Sequence, residues 1–277
     1  MSQNKIPLAG VIGCPIAHSR SPQLHGHWLS ANNVAGFYVP MDIAPDDLET
    51  MLRALPKAGF VGVNVTIPHK EAALQIADEV SERARLIGAA NTLTFLPDGR
   101  IHADNTDGYG FLTNLRAGAP EWEPASGPAV VLGAGGAARA VLVSLLEAGV
   151  PKITLSNRTQ ARAEQLQTEF GDRITVQPWD TITDSFPAAA LLVNTTSLGM
   201  TGKPPLDMDL NMLNAQAVVT DLVYTPLQTG LLQQAAARGC TTVDGLGMLL
   251  HQGAPGFARW FGAEPVVDDA LRRAVLG

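Results

Sequence analysis

Short apolar runs, many of them β-branched, fall at 8–13, 36–41, 62–67, 129–133, 152–156, 191–194, 217–221 and 241–244. Between them lie longer stretches in which apolar residues recur with helical spacing. The short runs predict buried strands and the 3.6-residue recurrence predicts helices. Strands and helices in alternation predict parallel sheets with helices on their faces, an open α/β architecture. The alternation stops at 117–128, where Gly118, Pro120, Pro124, Gly127 and Pro128 interrupt every period. Glycine and proline at that density predict a linker. The chain therefore divides into a first domain over 1–116, a second over 117–245 and a C-terminal helical segment over 246–277. It has no internal repeat and no low-complexity tract.

The second domain opens on the apolar run Val130-Val131-Leu132, which passes directly into Gly133, Ala134, Gly135, Gly136, Ala137 and Ala138 at the start of a predicted helix. Strand, glycine turn and helix in that order form the dinucleotide-binding fingerprint of a Rossmann-type domain. Gly133 serves the tight turn, Gly135 admits a pyrophosphate to the backbone, and Ala138 stands where the helix packs on the strand. Free N–H groups and a partial positive charge at the helix start face the phosphates. An ordinary glycine-rich turn is the competing reading. About 20 residues further on, an NAD site would carry an acidic residue for the ribose. Here the sequence is Ser156-Asn157-Arg158-Thr159, with no carboxylate from Gly149 to Gln160. Arg158, with Arg162 one turn on, suits a 2′-phosphate, which favours NADP over NAD. The alternative is that Arg158 is a solvated charge after a strand.

Composition narrows the choice of partner. A length of 277 residues supports about two domains, and 46% hydrophobic against 16% charged residues excludes a disordered chain. Lys and Arg total 19 against 26 Asp and Glu, a net charge of -7. That balance argues against nucleic acid or an anionic membrane as partner and points to a small molecule. Cys14 and Cys240 lack metal or redox spacing, and His25 and His27 sit two apart on different helix faces, so no metal site is expected. The apolar stretch 6–17 contains Gly and Pro and lacks a cleavage signal. With no run of 18 apolar residues, a cytoplasmic protein is expected.

Polar clusters interrupt the first domain where α/β sheets bind ligands. Ser19, Arg20 and Ser21 precede Pro22, a residue suited to a helix start, so Ser21 can be read as an N-cap. Asn64 and Thr66 share one strand face and lead into Pro68-His69-Lys70, where a lysine opposes the helix dipole. Asn91-Thr92 and Asn105-Thr106-Asp107-Gly108 follow.

With these residues in place the chain resembles the shikimate dehydrogenase family. The likeness rests on 13–22, on Asn64-Val65-Thr66-Ile67-Pro68-His69-Lys70, on 88–92 and on 105–108. It continues through 133–138, Asn157-Arg158-Thr159, 194–200, Asp221-Leu222-Val223-Tyr224 and 244–253. The resemblance implies reversible reduction of 3-dehydroshikimate to shikimate by NADPH, a step of aromatic amino-acid biosynthesis. It implies substrate contacts at Ser19, Ser21, Asn64, Thr66, Lys70, Asn91, Asp107, Tyr224 and Gln252. It implies cofactor contacts at Gly133, Ala134, Gly135, Gly136, Ala137, Asn157, Arg158, Thr159, Arg162 and Gly245, and more weakly at Glu82 and Leu222. Gly26 and Thr225 depart from the family pattern. Lys70 is the expected base and Asp107 its partner: burial and a helix start lower a lysine pKa, while an ionised Asp107 raises it, so the pair's protonation state stays open. Gln252 follows the cofactor domain in sequence, so the chain is expected to cross back and form two lobes around a cleft. A homodimer is left open. A quinate/shikimate dehydrogenase using NAD, and a non-catalytic NADP sensor, are the alternatives weighed.

Overall fold

The computed structural model describes residues 6–277. They divide into two compact units, one holding the described residues up to Thr106 together with Leu250–Gly277, the other Asp107–Leu249. The expected boundary at 116/117 falls at the end of helix α5 (Asp107–Gly118), and the division of the two units at its start.

The first unit holds a six-stranded sheet of β1 (Leu8–Gly13), β2 (Phe37–Asp42), β3 (Phe60–Val65), β4 (Glu79–Val80), β5 (Thr92–Phe95) and β6 (Ile101–Asp104). Its order is β2-β1-β3-β5-β6-β4. The strands β1, β2 and β3 pair in parallel, whereas β5 runs antiparallel to both β3 and β6. This corrects the expectation of a purely parallel sheet. Leu96-Pro97-Asp98-Gly99-Arg100 is short enough to close a hairpin, and antiparallel neighbours need no crossover helix. Helices α1 (Ser21–Ala31), α2 (Leu48–Ala54), α3 (Lys70–Ile76) and α4 (Glu82–Ile87) belong to this unit. Ile12, Val63, Val65, Leu93, Ile101, Leu48 and Leu52 are buried together in its core.

The second unit is built on β7 (Ala129–Leu132), β8 (Ile153–Ser156), β9 (Ile174–Val176), β10 (Leu191–Asn194), β11 (Val218–Asp221) and β12 (Thr241–Val243), all parallel. Counting from β7, the order β12-β11-β10-β7-β8-β9 is the doubly wound 3-2-1-4-5-6 arrangement, which reverses between β7 and β10. Every residue of β7 is buried, with Ala129 and Val131 in one core and Val130 and Leu132 in the other. Helices cover both faces, and a strand so enclosed reads as a continuous apolar run. The helices are α5, α6 (Gly136–Ala148), α7 (Gln160–Phe170) and α8 (Gly230–Ala237). The predicted linker is no loose tether, because Ala119 and Trp122 are buried in the core of this unit.

Helix α9 (Leu246–Phe261) carries the chain from the second unit back into the first, where α10 (Asp269–Leu276) ends it. Trp28 of α1 donates its indole N–H to the Val266 carbonyl at 2.7 Å, tying this segment to the first unit. Among the described residues no helix is long and apolar enough to cross a membrane.

Candidate functional site

In the first unit the polar clusters converge on the ends of β3 and β5. Ser21 is not an N-cap: that position is Arg20, Ser21 is the first residue of α1, and its side chain is buried. The Ser19 hydroxyl accepts the Ser21 backbone N–H at 3.3 Å. Thr66 follows β3, its N–H donating to the Ile12 carbonyl, and a Cβ on Gly13 would lie 2.7 Å from its methyl. Gly13 is therefore what lets Thr66 sit against β1. Lys70 begins α3 after His69, whose buried ring is 2.8 Å from the Ile43 carbonyl. The Lys70 carbonyl accepts the Ala90 N–H, which ties the helix start to the chain entering β5.

Asn64, Asn91 and Gln252 lie in one hydrogen-bonded network. Asn64 Nδ2 donates to the Asn91 carbonyl at 3.2 Å and to Thr92 Oγ1 at 3.3 Å. Asn91 Nδ2 donates to Gln252 Oε1 at 2.9 Å, and Asn91 Oδ1 accepts the Thr106 N–H at 2.8 Å. Thr106 Oγ1 donates to the Gln252 carbonyl at 2.8 Å, which fixes α9 against the strand ends. Gln252 lies 161 residues from Asn91 in the chain and is supplied by the returning helix. Thr92, Thr106 and Tyr38 complete the network; the two threonines stand in polar clusters the sequence marks, whereas Tyr38 was not singled out from sequence. Tyr38 is the one buried position of an otherwise exposed or half-buried edge strand, a contrast invisible in its apolar neighbours.

Beneath this network His25 is wholly buried and its ring stacks on Tyr38, with centroids 3.8 Å apart and planes at 4°. Neither ring nitrogen has a hydrogen-bond partner. Burial pushes its pKa down to about 3, with the Asn64 side chain opposing. The ring is therefore neutral at physiological pH. Burial pushes the Tyr38 phenol well up, with Ser21 opposing, so it stays a protonated donor.

In the second unit the glycine turn stands at the point where the strand order reverses. Gly133 has φ +106°, a left-handed conformation that favours glycine, and a Cβ there would lie 2.5 Å from Thr195 Oγ1 in the loop after β10. Gly135 caps α6 in extended conformation with no side-chain cap, and a Cβ on Gly135 or Gly136 would meet nothing within 4 Å. The helix start thus presents backbone N–H groups to an open face, flanked by half-buried Ala134 and Ala137, while Ala138 is buried against the sheet. Asn157 accepts the Ala134 N–H at 3.2 Å and donates to the Thr159 carbonyl at 2.9 Å, linking this turn to the end of β8. Arg158, Thr159 and Arg162 are exposed. An open turn rich in donors beside exposed guanidinium groups, with no carboxylate on the β8 loop, fits a dinucleotide that carries a 2′-phosphate.

The neighbouring strand ends are locked by Asn194 and Asp221, paired in register and both fully buried. Asp221 accepts from Asn194 Nδ2 at 2.9 Å, the Val223 N–H at 3.0 Å and Thr229 Oγ1 at 2.7 Å. Burial raises its pKa while these donors pull it back. The carboxylate so fixes the loop carrying Leu222 and Tyr224, both half-buried. Gly245 is buried against that loop: a Cβ would lie 2.3 Å from the Leu222 carbonyl oxygen. Asp107 is the buried first residue of α5, in the second unit, and Glu82 is exposed at the start of α4, in the first.

A doubly wound parallel sheet with this turn, in one chain with a separate α/β unit holding a polar network, defines a nicotinamide-dinucleotide oxidoreductase. Residues 11–93 match the shikimate dehydrogenase substrate binding domain, 123–200 the shikimate / quinate 5-dehydrogenase family and 245–276 the shikimate 5′-dehydrogenase C-terminal domain. The chain belongs to the shikimate dehydrogenase family. It is 66% identical, over all of both chains, to a shikimate dehydrogenase (NADP(+)) of Roseobacter denitrificans. A shikimate 5-dehydrogenase of Thermus thermophilus, solved with NADP(H) and shikimate, is 40% identical with a TM-score of 0.86, covering 98% of this chain and 100% of its own. A quinate dehydrogenase of Corynebacterium glutamicum, solved with NAD, is 34% identical with a TM-score of 0.91 over 99% of both chains.

Proposed function

We propose that this protein catalyses the reversible NADP-dependent interconversion of 3-dehydroshikimate and shikimate. The observation that carries this reading is the full-length identity of 66% with a shikimate dehydrogenase (NADP(+)). The Asn64–Asn91–Gln252 network, its two asparagines buried and its glutamine half-buried, supports it, since a ring bearing several hydroxyls needs fixed donors and acceptors close together.

Bound NADP supplies the acceptor for the hydride that leaves the ring carbon, and NADPH the donor in reverse. Lys70 takes the hydroxyl proton in oxidation and returns it in reduction. Asp107 accepts a hydrogen bond from the same hydroxyl and orients the lysine. Ser19, Ser21, Asn64, Thr66, Asn91, Tyr224 and Gln252 hold the ring. The 133–137 turn, Asn157, Arg158, Thr159, Arg162, Leu222, Gly245 and Glu82 hold the cofactor. The cytoplasm is the proposed compartment, supported by two free cysteines, Cys14 and Cys240, far apart in sequence.

The test is the appearance of reduced cofactor with purified protein, shikimate or quinate as substrate, and NADP or NAD as acceptor. Rapid turnover of shikimate with NADP is expected. Preference for quinate with NAD would move the chain to the quinate branch, and no turnover of any pair would overturn the enzyme reading.

A further inference from the structure

The Tyr38 phenol fixes the side-chain carbonyl oxygen of Asn64. The phenol donates to Asn64 Oδ1 at 2.7 Å, and both residues are buried. Asn64 Nδ2 has two hydrogens, and both are spent on the Asn91 carbonyl and Thr92 Oγ1. The amide is thus held from both ends. The donor is itself immobile. His25 lies flat against the tyrosine ring, and Trp28, Phe257 and Trp260 enclose His25 with ring centroids 5.4, 5.9 and 6.0 Å away. Burying a hydroxyl costs free energy unless it is hydrogen-bonded, and phenylalanine would fill the strand position with no such cost. Asn64 is what makes tyrosine the better residue at this place.

We propose that Tyr38, clamped by His25, is a positioning residue that sets the orientation of the Asn64 amide toward the substrate ring. The inference rests on the reading that Asn64 contacts substrate. It assigns Tyr38 no contact with the reacting atoms, so substrate affinity is affected and the hydride step is not.

Tyr38→Phe keeps the ring, the stack and the packing and removes only the hydroxyl. Loss of a hydrogen bond between neutral groups predicts a rise of about three- to tenfold in the KM for shikimate. Turnover at saturation and the KM for NADP are expected to stay within about twofold, a split that a merely structural role would not produce. A double-mutant cycle isolates the coupling. In an Asn64→Ala background, where no amide remains to be oriented, Tyr38→Phe is expected to add less than about twofold. An unchanged KM in Tyr38→Phe while Asn64→Ala raises it, or additive effects in the double variant, overturns the positioning role alone. An unchanged KM in Asn64→Ala overturns it together with the assignment of Asn64 to the substrate site.

Discussion

Lys70 and Arg158 are both cations beside a strand end, and the proposed function gives them different work. Lys70 starts a helix, is half-buried, and has its backbone tied to the segment entering β5. A solvated surface lysine would tolerate truncation. As the base of a hydride transfer, Lys70→Ala is expected to lower turnover by about 10²- to 10⁴-fold, with shikimate binding within a few-fold of the parent. Steady-state kinetics with a separate binding titration measure this, and near-parental turnover would remove the role. Arg158, by contrast, is exposed on a loop whose shape Asn157 holds. It has no fold to support and is free to meet a phosphate. Arg158→Ala is expected to raise the KM for NADP about tenfold or more while changing that for NAD little. Equal losses with both cofactors would show that the arginine does not read the 2′-phosphate. The identity of both residues was legible in the sequence. The partners that hold them, such as Ala90 for Lys70, come from tertiary approach and were not.

Elements packed on both faces were the easiest to read, because β7, β8, β10 and β11 are short, largely apolar runs buried throughout. The hairpin of β5 and β6 was not legible. Its first strand begins with Thr92, whose hydroxyl serves the site network, so the run looks like a polar cluster. Contacts between distant loops are equally silent in sequence, and Gly245 is the clearest case. A Cβ there would lie 2.3 and 2.5 Å from the Leu222 carbonyl oxygen and carbon and 2.8 Å from the Asp221 oxygen, all backbone atoms that cannot swing away. Asp221 is already held by three donors, so the loop has little room to yield. Gly245→Ala is therefore expected to destabilise the protein by about 1–3 kcal/mol, the usual cost of overpacking. Because Leu222 is displaced, the KM for NADP should rise as well. Thermal unfolding and cofactor kinetics on one preparation test both. An unchanged Tm with an unchanged KM would mean that the two segments separate freely.

At the scale of the whole molecule, the buried histidine makes stability depend on pH. His25 has a folded pKa of about 3 because burial disfavours its charged form, whereas in an unfolded chain a histidine titrates near 6.5. Above pH 6.5 both states are neutral and the full stability is present. As pH falls below 6.5 the unfolded chain takes up a proton that the folded chain refuses. Unfolding then becomes easier by up to about 1.4 kcal/mol per pH unit, until the folded value near 3 is reached. His251 acts in the same direction, its pKa lowered by burial and then by Arg272, but it is only half-buried. Asp78, Asp98, Asp104 and Glu169 have lowered values, so they withdraw their support only below about pH 4. Asp221 has a raised value, so its folded form takes up a proton before the unfolded chain does and acts in the opposite direction. The loss of stability from about 6.5 to 4.5 therefore comes from the histidines. His25→Phe keeps an aromatic ring against Tyr38 and removes the titration. Denaturant unfolding followed by tryptophan fluorescence reports on this region, since Trp28 lies 5.4 Å from the histidine ring. The parent is expected to lose stability steadily through the interval, and His25→Phe to show a clearly shallower slope, whatever its stability at neutral pH. Equal slopes in the two proteins would mean that His25 takes up its proton without unfolding the chain.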